Sequence, residues 1–124
     1  MKFAIQVHCA PWASTGGESA VRFIRAALRL GHEAPRVFFY HDGVCQASAW
    51  AEPVEGARRL VDDWRALAIE HGVDLVLCVS AAQRRGLWVS GELAKGVLAE
   101  GFRIGGLGLW LEACLEADRL LVFA

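Results

Sequence analysis

The chain has 124 residues, 55% hydrophobic and 22% charged, which suits one compact domain with a sizeable core and leaves no room for two. With 13 basic against 14 acidic side chains, its formal net charge is −1, so no global charge directs it toward nucleic acid or acidic membranes. Its four cysteines form no Cys-x-x-Cys pair and no zinc-like spacing. That pattern predicts free thiols in a reducing compartment and no metal site.

The first third of the chain is predicted to hold two strands separated by a helix. Residues 2–8 form a strand that has neither the charged start nor the long apolar core of a signal peptide, so the cytoplasm is the expected compartment. No apolar run approaches membrane-spanning length, so no membrane partner is expected. Apolar residues recur at helical spacing over 16–30. The continuous aromatic run 36–40 predicts a strand that is buried on both faces.

A loop, a helix and the third strand are predicted for the middle of the chain. Residues 41–53 are predicted as loop, with His41 and Asp42 as turn residues that could line the rim of the sheet. An amphipathic helix is predicted over 57–71, where a glycine follows as a stop signal. A short apolar strand follows over 74–79.

The last third is predicted to continue the alternation of helices and strands. Residues 87–100 read as a helix that two internal glycines weaken. A short strand over 102–104, a helix from the glycine-rich turn 105–108 to residue 117, and a strand over 119–123 complete the chain. This alternation implies right-handed βαβ units. We therefore predict a single domain over residues 1–124, a three-layer α/β/α fold with a five-stranded, mainly parallel sheet.

Cys78 is the strongest functional candidate. It lies at the far end of the strand 74–79, and the carboxyl ends of strands in an open α/β sheet are where ligands and reactive groups are displayed. A thiol near the positive end of the next helix and near Arg84 and Arg85 is expected to ionise more easily than a free one. A free cysteine is also commonly a small buried hydrophobe. The residues alone leave these two interpretations equally open.

The other cysteines give weaker signals. Cys9 follows His8 at the end of the first strand, on the same rim as Cys78, and is a candidate second thiol. Neighbours in a strand point to opposite faces, so this adjacency is weak evidence for a catalytic pair. Cys45 is predicted in an exposed loop, and Cys114 in the core side of a helix.

The loop 14–18, Ser-Thr-Gly-Gly-Glu, opens a helix at a place where backbone amides could hold a phosphate. It lacks the Gly-Lys-Ser/Thr ending of a P-loop, but it resembles the hydroxyl-and-glycine loop that holds flavin phosphate in flavodoxins. An ordinary helix start with glycines is the favoured interpretation. Trp12, Trp50 and Trp88 fall in or beside loops, where aromatic residues often mark a protein interface.

From end to end, these segments resemble the DsrE/TusD family of small sulfur-carrier proteins, which are sulfurtransferase subunits. The segments Phe-Phe-Tyr and Cys-to-Arg-Arg-Gly, in this order and spacing, are together quite specific. The matching segments are 2–5, 37–44 with Ala47, 64–73, 78–86, 106–108, 112–113 and 118–119. Three features depart from the family pattern: the Cys9-Ala-Pro-Trp loop, Cys45, and the shortness of 87–101.

This resemblance implies a flavodoxin-like fold without flavin, with no cofactor or metal. It implies a cytoplasmic subunit that assembles with two homologous small subunits, typically as a heterohexamer. Cys78 would accept sulfane sulfur from an upstream persulfide donor and pass it to a downstream sulfur-carrier protein, with no direct contact to nucleic acid. From their place in the chain, Arg84 and Arg85 are expected to hold the persulfide as its anion.

The resemblance leaves the pathway open. The TusD branch supplies sulfur for 2-thiouridine at the wobble position of certain tRNAs, and we favour it. The DsrE branch serves dissimilatory sulfur oxidation and is the first alternative. A flavin-binding flavodoxin-like protein that uses the loop 14–18, and a non-catalytic assembly subunit, are weaker alternatives.

Overall fold

The structure is a computed structural model and describes residues 1–51, 53, 59–89, 91–93 and 96–124. Its strands are β1 (Lys2–Val7), β2 (Glu33–Phe39), β3 (Asp74–Cys78), β4 (Trp88–Val89), β5 (Glu92–Leu93), β6 (Phe102–Gly105) and β7 (Arg119–Phe123). Its α-helices are α1 (Gly16–Arg29), α2 (Leu60–His71), α3 (Val79–Arg84) and α4 (Leu107–Glu116), and a 3-10 helix spans His41–Ala47.

Five strands form one sheet in the order β6-β3-β2-β1-β7, and every neighbouring pair in it is parallel. Helices cover both faces of the sheet. Successive residues of a strand point to opposite faces, so neighbouring residues pack against different helices. Phe39 packs against Trp64 of α2 with ring centroids 5.0 Å apart. The preceding residue, Phe38, packs against Trp110 of α4 at 6.1 Å. The predicted three-layer α/β/α fold is therefore confirmed.

Sequence periodicity predicted the longer elements well because each buries one continuous apolar stripe. The residues of α1 that are fully buried recur at helical spacing, as at Ala20 and Ile24. Gly72 ends α2 with φ 66, a left-handed conformation that glycine adopts without a steric penalty. The strand predicted over 36–40 is buried on both faces, since Val37 and both phenylalanines beside it are 0% exposed.

The helix predicted over 87–100 is wrong. Two short strands, β4 and β5, pair there as an antiparallel hairpin, and Leu98 forms an isolated bridge to Ser48. Gly91 and Gly96 adopt φ 78 and φ 71, which a right-handed helix cannot contain. Residues 90, 94 and 95 of this segment lie outside the described residues.

Three boundaries also differ from the prediction. Most of the predicted loop 41–53 is the 3-10 helix, which ends at Ala47. The described part of α2 begins at Leu60, and residues 57 and 58 lie outside the described residues. β3 ends at Cys78, and α3, a helix that was not predicted, begins at the next residue.

Ion pairs close the amino edge of the sheet. The Asp74 carboxylate accepts hydrogen bonds from Arg103 and Arg36, each at 2.8 Å, and these bonds, led by that of Arg103, hold the pKa of Asp74 below its usual value. The opposite, carboxyl edge holds Cys78. Among the described residues, no helix is both long and apolar enough to cross a membrane.

Candidate functional site

The carboxyl edge of the sheet places Cys78 in a row with two ring side chains. The register pairs Val7 with Phe39 and Phe39 with Leu77. The next residue of each strand is His8, Tyr40 and Cys78 respectively. Because side chains alternate, these three point to the side of the sheet opposite Phe39, the side that α4 covers. Neighbouring strands lie about 4.8 Å apart, so Tyr40 is flanked by the other two residues of the row.

Cys78 is buried at this edge, with 1% of its surface exposed. Its Sγ lies 3.3 Å from the Oγ of Ser80, the second residue of α3. Gly105 pairs with Cys78 on the β6 side, so its other lateral neighbour has no side chain. A sulfur anion on Cys78 would therefore have the Ser80 hydroxyl as a hydrogen-bond donor.

The two arginines after Cys78 have different surroundings. Arg85 donates from Nε and Nη2 to Oδ1 of Asp42, at 2.9 and 2.8 Å, and from Nη1 to the Ala81 carbonyl at 3.0 Å. Arg84 is exposed at the end of α3. Within the described part of the chain, no hydrogen bond joins either guanidinium to Cys78. The structure brings Arg85 to the 3-10 helix instead, where it ties that helix to α3.

Cys9 does not join Cys78 in a shared site. By strand alternation it points to the face that α1 and α2 cover, opposite to the face of Cys78. It is buried, with 7% of its surface exposed, and a Cβ added at Gly16 would lie 2.8 Å from its Sγ. The start of α1 therefore closes over this thiol.

The remaining two cysteines are half-buried. Burial raises the pKa of the Cys45 thiol, the Asp42 carboxylate raises it further, and Arg85 partly opposes them. Burial also raises the pKa of Cys114. Because the thiolate is the nucleophilic form, both residues are less suited than a free cysteine to attack a sulfur donor at neutral pH.

A cluster of three rings, which the sequence did not predict, lies beside Cys78. Tyr40 and His41 have ring centroids 4.1 Å apart, and His8 lies 5.0 Å from His41 and 5.9 Å from Tyr40. His8 Nε2 also lies 2.5 Å from Oε1 of Gln6. A signal was present: His8 and Cys78 follow parallel strands at matching positions, and Tyr40 follows the strand between them.

The loop 14–18 borders a cavity of about 410 Å³, whose lining includes Trp12, Ser14 and Arg59 but not Cys78. The glycines of this loop have packing roles. A Cβ at Gly17 would lie 2.6 Å from the Gln46 amide, and Gly16 covers Cys9. No group of three or more His, Cys, Asp or Glu side chains that could hold a metal is present in the described ranges.

Of the three loop tryptophans, Trp12 and Trp50 are exposed, at 69% and 72% of their surfaces. Trp88 is half-buried in the β4–β5 hairpin.

The comparisons with known proteins cover the whole domain. A model of the DsrE/DsrF-like family matches residues 1–123. The protein named sulfurtransferase DsrE in Allochromatium vinosum is 44% identical over 128 residues, which cover 99% of this chain and 98% of that protein. Sulfurtransferase TusD of Salmonella newport is 39% identical and that of Erwinia tasmaniensis 40%, each over 99% of this chain and 100% of the relative.

A solved structure supports the fold independently of these sequence matches. The crystal structure of the ychN protein from E. coli superposes with a TM-score of 0.81 and covers 99% of each chain. The two sequences are 24% identical, so this likeness concerns the fold alone.

Proposed function

Since this chain belongs to the DsrE/DsrF-like family and is a sulfurtransferase, we propose that it is the sulfur-carrier subunit of a cytoplasmic sulfur relay. Cys78 accepts sulfane sulfur as a persulfide from an upstream donor and passes it to a downstream sulfur-carrier protein. The observation that supports this role is the position of Cys78 at the carboxyl end of β3, beside Ser80 and the ring cluster. Cys9 points to the opposite face of the sheet, and the raised pKa values of Cys45 and Cys114 disfavour their thiolate forms.

The transfer step needs no cofactor. The Cys78 thiolate attacks the outer sulfur of a donor persulfide, a new S–S bond forms, and the S–S bond of the donor breaks. The electron pair of the broken bond leaves on the inner sulfur of the donor as a thiolate, which then takes a proton. The product, Cys78–S–SH, carries the sulfane sulfur forward, and the Ser80 hydroxyl donates a hydrogen bond to its anion.

Burial of Cys78 adds a structural requirement to this step. With 1% of the residue exposed, a donor sulfur cannot line up behind Sγ until neighbouring atoms move aside. We propose that docking of the donor at the carboxyl edge opens this access. In the free protein, burial then slows oxidation of the thiol.

Mass spectrometry tests the carrier role directly. After incubation with a cysteine desulfurase and cysteine, the reduced protein should gain one sulfur, about 32 Da, and Cys78→Ser should gain none, because the acceptor sulfur is missing. Cys114→Ser and Cys9→Ser are the matched controls and should gain sulfur as the wild type does. Equal gain by wild type and Cys78→Ser would refute the assignment, and the modified cysteine would then be found by peptide mapping.

An apolar surface supports assembly with two homologous small subunits as a heterohexamer. On α4, Leu107, Leu111 and Leu115 recur every four residues, and Leu120 and Val122 alternate along the edge strand β7. These five side chains are between 51% and 78% exposed. Val122 is in register with Gln6, and Gln6 with Phe38, so the β7 residues lie on the side of the sheet that α4 covers. Exposed apolar patches of this kind mark protein interaction sites.

A charge in this apolar surface should weaken assembly. We expect Leu111→Glu to raise the dissociation constant for the homologous subunits about tenfold or more, since an apolar contact at the centre of an interface is worth over ~1 kcal/mol. The measurement is native mass spectrometry of the co-expressed subunits. Ile69→Glu is the matched control, because Ile69 is 79% exposed on α2, across the sheet. Equal weakening by both variants would argue against this surface.

We propose the wobble 2-thiouridine pathway of tRNA as the destination of the sulfur, as the two TusD relatives suggest. The 44% identity to a DsrE sulfurtransferase favours dissimilatory sulfur oxidation as the second candidate. Expression in a bacterium that lacks its own TusD distinguishes them: restored 2-thiouridine in tRNA supports the first pathway. If the protein is folded and gains sulfur on Cys78 but does not restore 2-thiouridine, the result supports the second pathway.

A further inference from the structure

The ring cluster of His8, Tyr40 and His41 places two imidazoles at the carboxyl edge beside the sulfur acceptor. Tyr40 lies between Cys78 and His8 in the lateral row, and His41 contacts both rings of the cluster, at 4.1 and 5.0 Å between centroids. His41 itself is exposed. His41 is therefore an exposed imidazole at the edge where Cys78 ends β3.

The backbone of His41 is held in an unusual conformation. Among the described residues other than glycine, only His41 has a positive φ, of 50. This conformation costs free energy for residues other than glycine. The next residue, Asp42, is tied to α3 by Arg85, and Gly43 donates its amide hydrogen to the Tyr40 carbonyl at 2.8 Å. These contacts hold the turn that stacks the His41 ring on Tyr40.

His8 is set up as an uncharged neighbour of His41. Its Nε2 lies 2.5 Å from the Gln6 Oε1, an acceptor, so Nε2 carries the proton and donates it. Burial lowers the pKa of His8, and the nearby His41 lowers it further. Both effects favour the uncharged form of His8 at neutral pH.

The chemistry of sulfur transfer calls for a proton at this place. When the S–S bond of the donor breaks, negative charge develops on the sulfur that leaves, next to a cysteine that is 1% exposed. Imidazole is the side chain that ordinarily changes charge between pH 5 and 8, so it can act as a general acid at neutral pH.

We propose that the His41 imidazolium donates a proton to the leaving thiolate of the sulfur donor, and that His8 and Tyr40 are positioning residues for its ring. This proposal rests on the proposed role of Cys78 as the sulfur acceptor. Cys78 loses its proton to solvent before the attack, His41 protonates the leaving sulfur as the new S–S bond forms, and His41 regains a proton from solvent. The net reaction converts a thiol and a persulfide into a persulfide and a thiol.

The titratable and charged groups near His41 belong to three elements. The residue that follows β1, His8, has its ring in contact with that of His41. The 3-10 helix carries Asp42, the next residue in the chain, and α3 ends at Arg84, just before Arg85. Asp42 and Arg85 form an ion pair with each other, so their charges largely cancel at the imidazole.

His41→Asn tests the proposal, since asparagine accepts a left-handed φ and so keeps the turn while it removes the imidazole. With glutathione persulfide as donor, the single-turnover rate of sulfur gain at pH 7 should fall about 100-fold. The pH profile of the rate should differ between the wild type and His41→Asn, because the variant has no imidazole at this position to exchange a proton. His71→Asn, at the exposed end of α2, is the matched control and should behave as the wild type.

A donor with a better leaving group separates proton donation from a structural role. An aryl persulfide releases a far more acidic thiol that needs no proton, so it should restore the rate of His41→Asn nearly to that of the wild type. A His41→Asn variant that retains the wild-type pH profile and the wild-type response to the leaving group would overturn the inference alone. A wild-type protein that takes sulfur neither from these two donors nor from a cysteine desulfurase would overturn the proposed function itself.

Discussion

Gly43→Ala should lower the free energy of unfolding by about 3 kcal/mol, the upper part of the range for overpacked sites. A Cβ added at Gly43 would lie 2.0 Å from the Val7 carbonyl oxygen and 3.3 Å from the Cα of His8. Both are backbone atoms at the end of β1, so no side chain can rotate away to make room. The 3-10 helix would have to move off the sheet.

The same displacement should reduce sulfur transfer, because the 3-10 helix carries His41 and the Asp42 partner of Arg85. Urea unfolding followed by tryptophan fluorescence gives the stability, and mass gain gives the transfer rate. Gly108→Ala is the matched control, since a Cβ there would meet nothing within 4 Å and alanine favours a helix by up to ~1 kcal/mol. A Gly43→Ala protein as stable as Gly108→Ala would show that the close contact is not real.

The long elements were predictable because their patterns are local. α1 and α2 repeat apolar residues at helical spacing, and glycines follow both helices, at Gly31 and Gly72 with φ 83 and φ 66. The buried run at Val37 and its neighbours could belong only to a central strand of a covered sheet. Strong local patterns of this kind need no tertiary contact to be recognised.

The short elements were not predictable because distant contacts determine them. The 3-10 helix fits against β1 only because Gly43 has no side chain, and its link to α3 is an ion pair between residues 43 positions apart. The β4–β5 hairpin lies where a helical pattern of apolar residues was interrupted by glycines. In each case a contact made in three dimensions overrides a weak local preference.

The candidate site was predictable in its position and not in its surroundings. The place of Cys78 at a strand end followed from the alternation of strands and helices, whereas Cys9, predicted as a candidate second thiol on the same rim, points to the opposite face of the sheet. The burial of Cys78 and the partner of Arg85 depend on α3 and the 3-10 helix, the elements that the sequence did not reveal. The grouping of His8 and His41 depends on β1 and β2 being neighbours in the sheet and on the positive φ of His41, neither of which the local sequence pattern indicated.

Gln46 connects three elements beneath α1, and its loss should have the second large effect on stability. It is 1% exposed, donates from Nε2 to the Cys9 carbonyl at 2.8 Å, and accepts from the Trp64 indole N–H at 3.1 Å. Gln46→Leu keeps the volume but removes both bonds. Because each buried polar group left without a partner costs about 1–3 kcal/mol, we expect a loss of about 2–4 kcal/mol in the free energy of unfolding.

A double-mutant cycle isolates the bond to the indole. Gln46→Leu combined with Trp64→Phe should cost less than the sum of the single changes, by about 0.5–3 kcal/mol, since the phenylalanine has no N–H to leave unpaired. Urea unfolding measures each variant, and the exposed Gln83→Ala in α3 should change stability by less than about 0.5 kcal/mol. Strict additivity in the cycle would contradict the bond. Gln46 lies on the opposite face of the sheet from Cys78, so folded Gln46→Leu should still accept sulfur, which separates the stability of the domain from the chemistry at its edge.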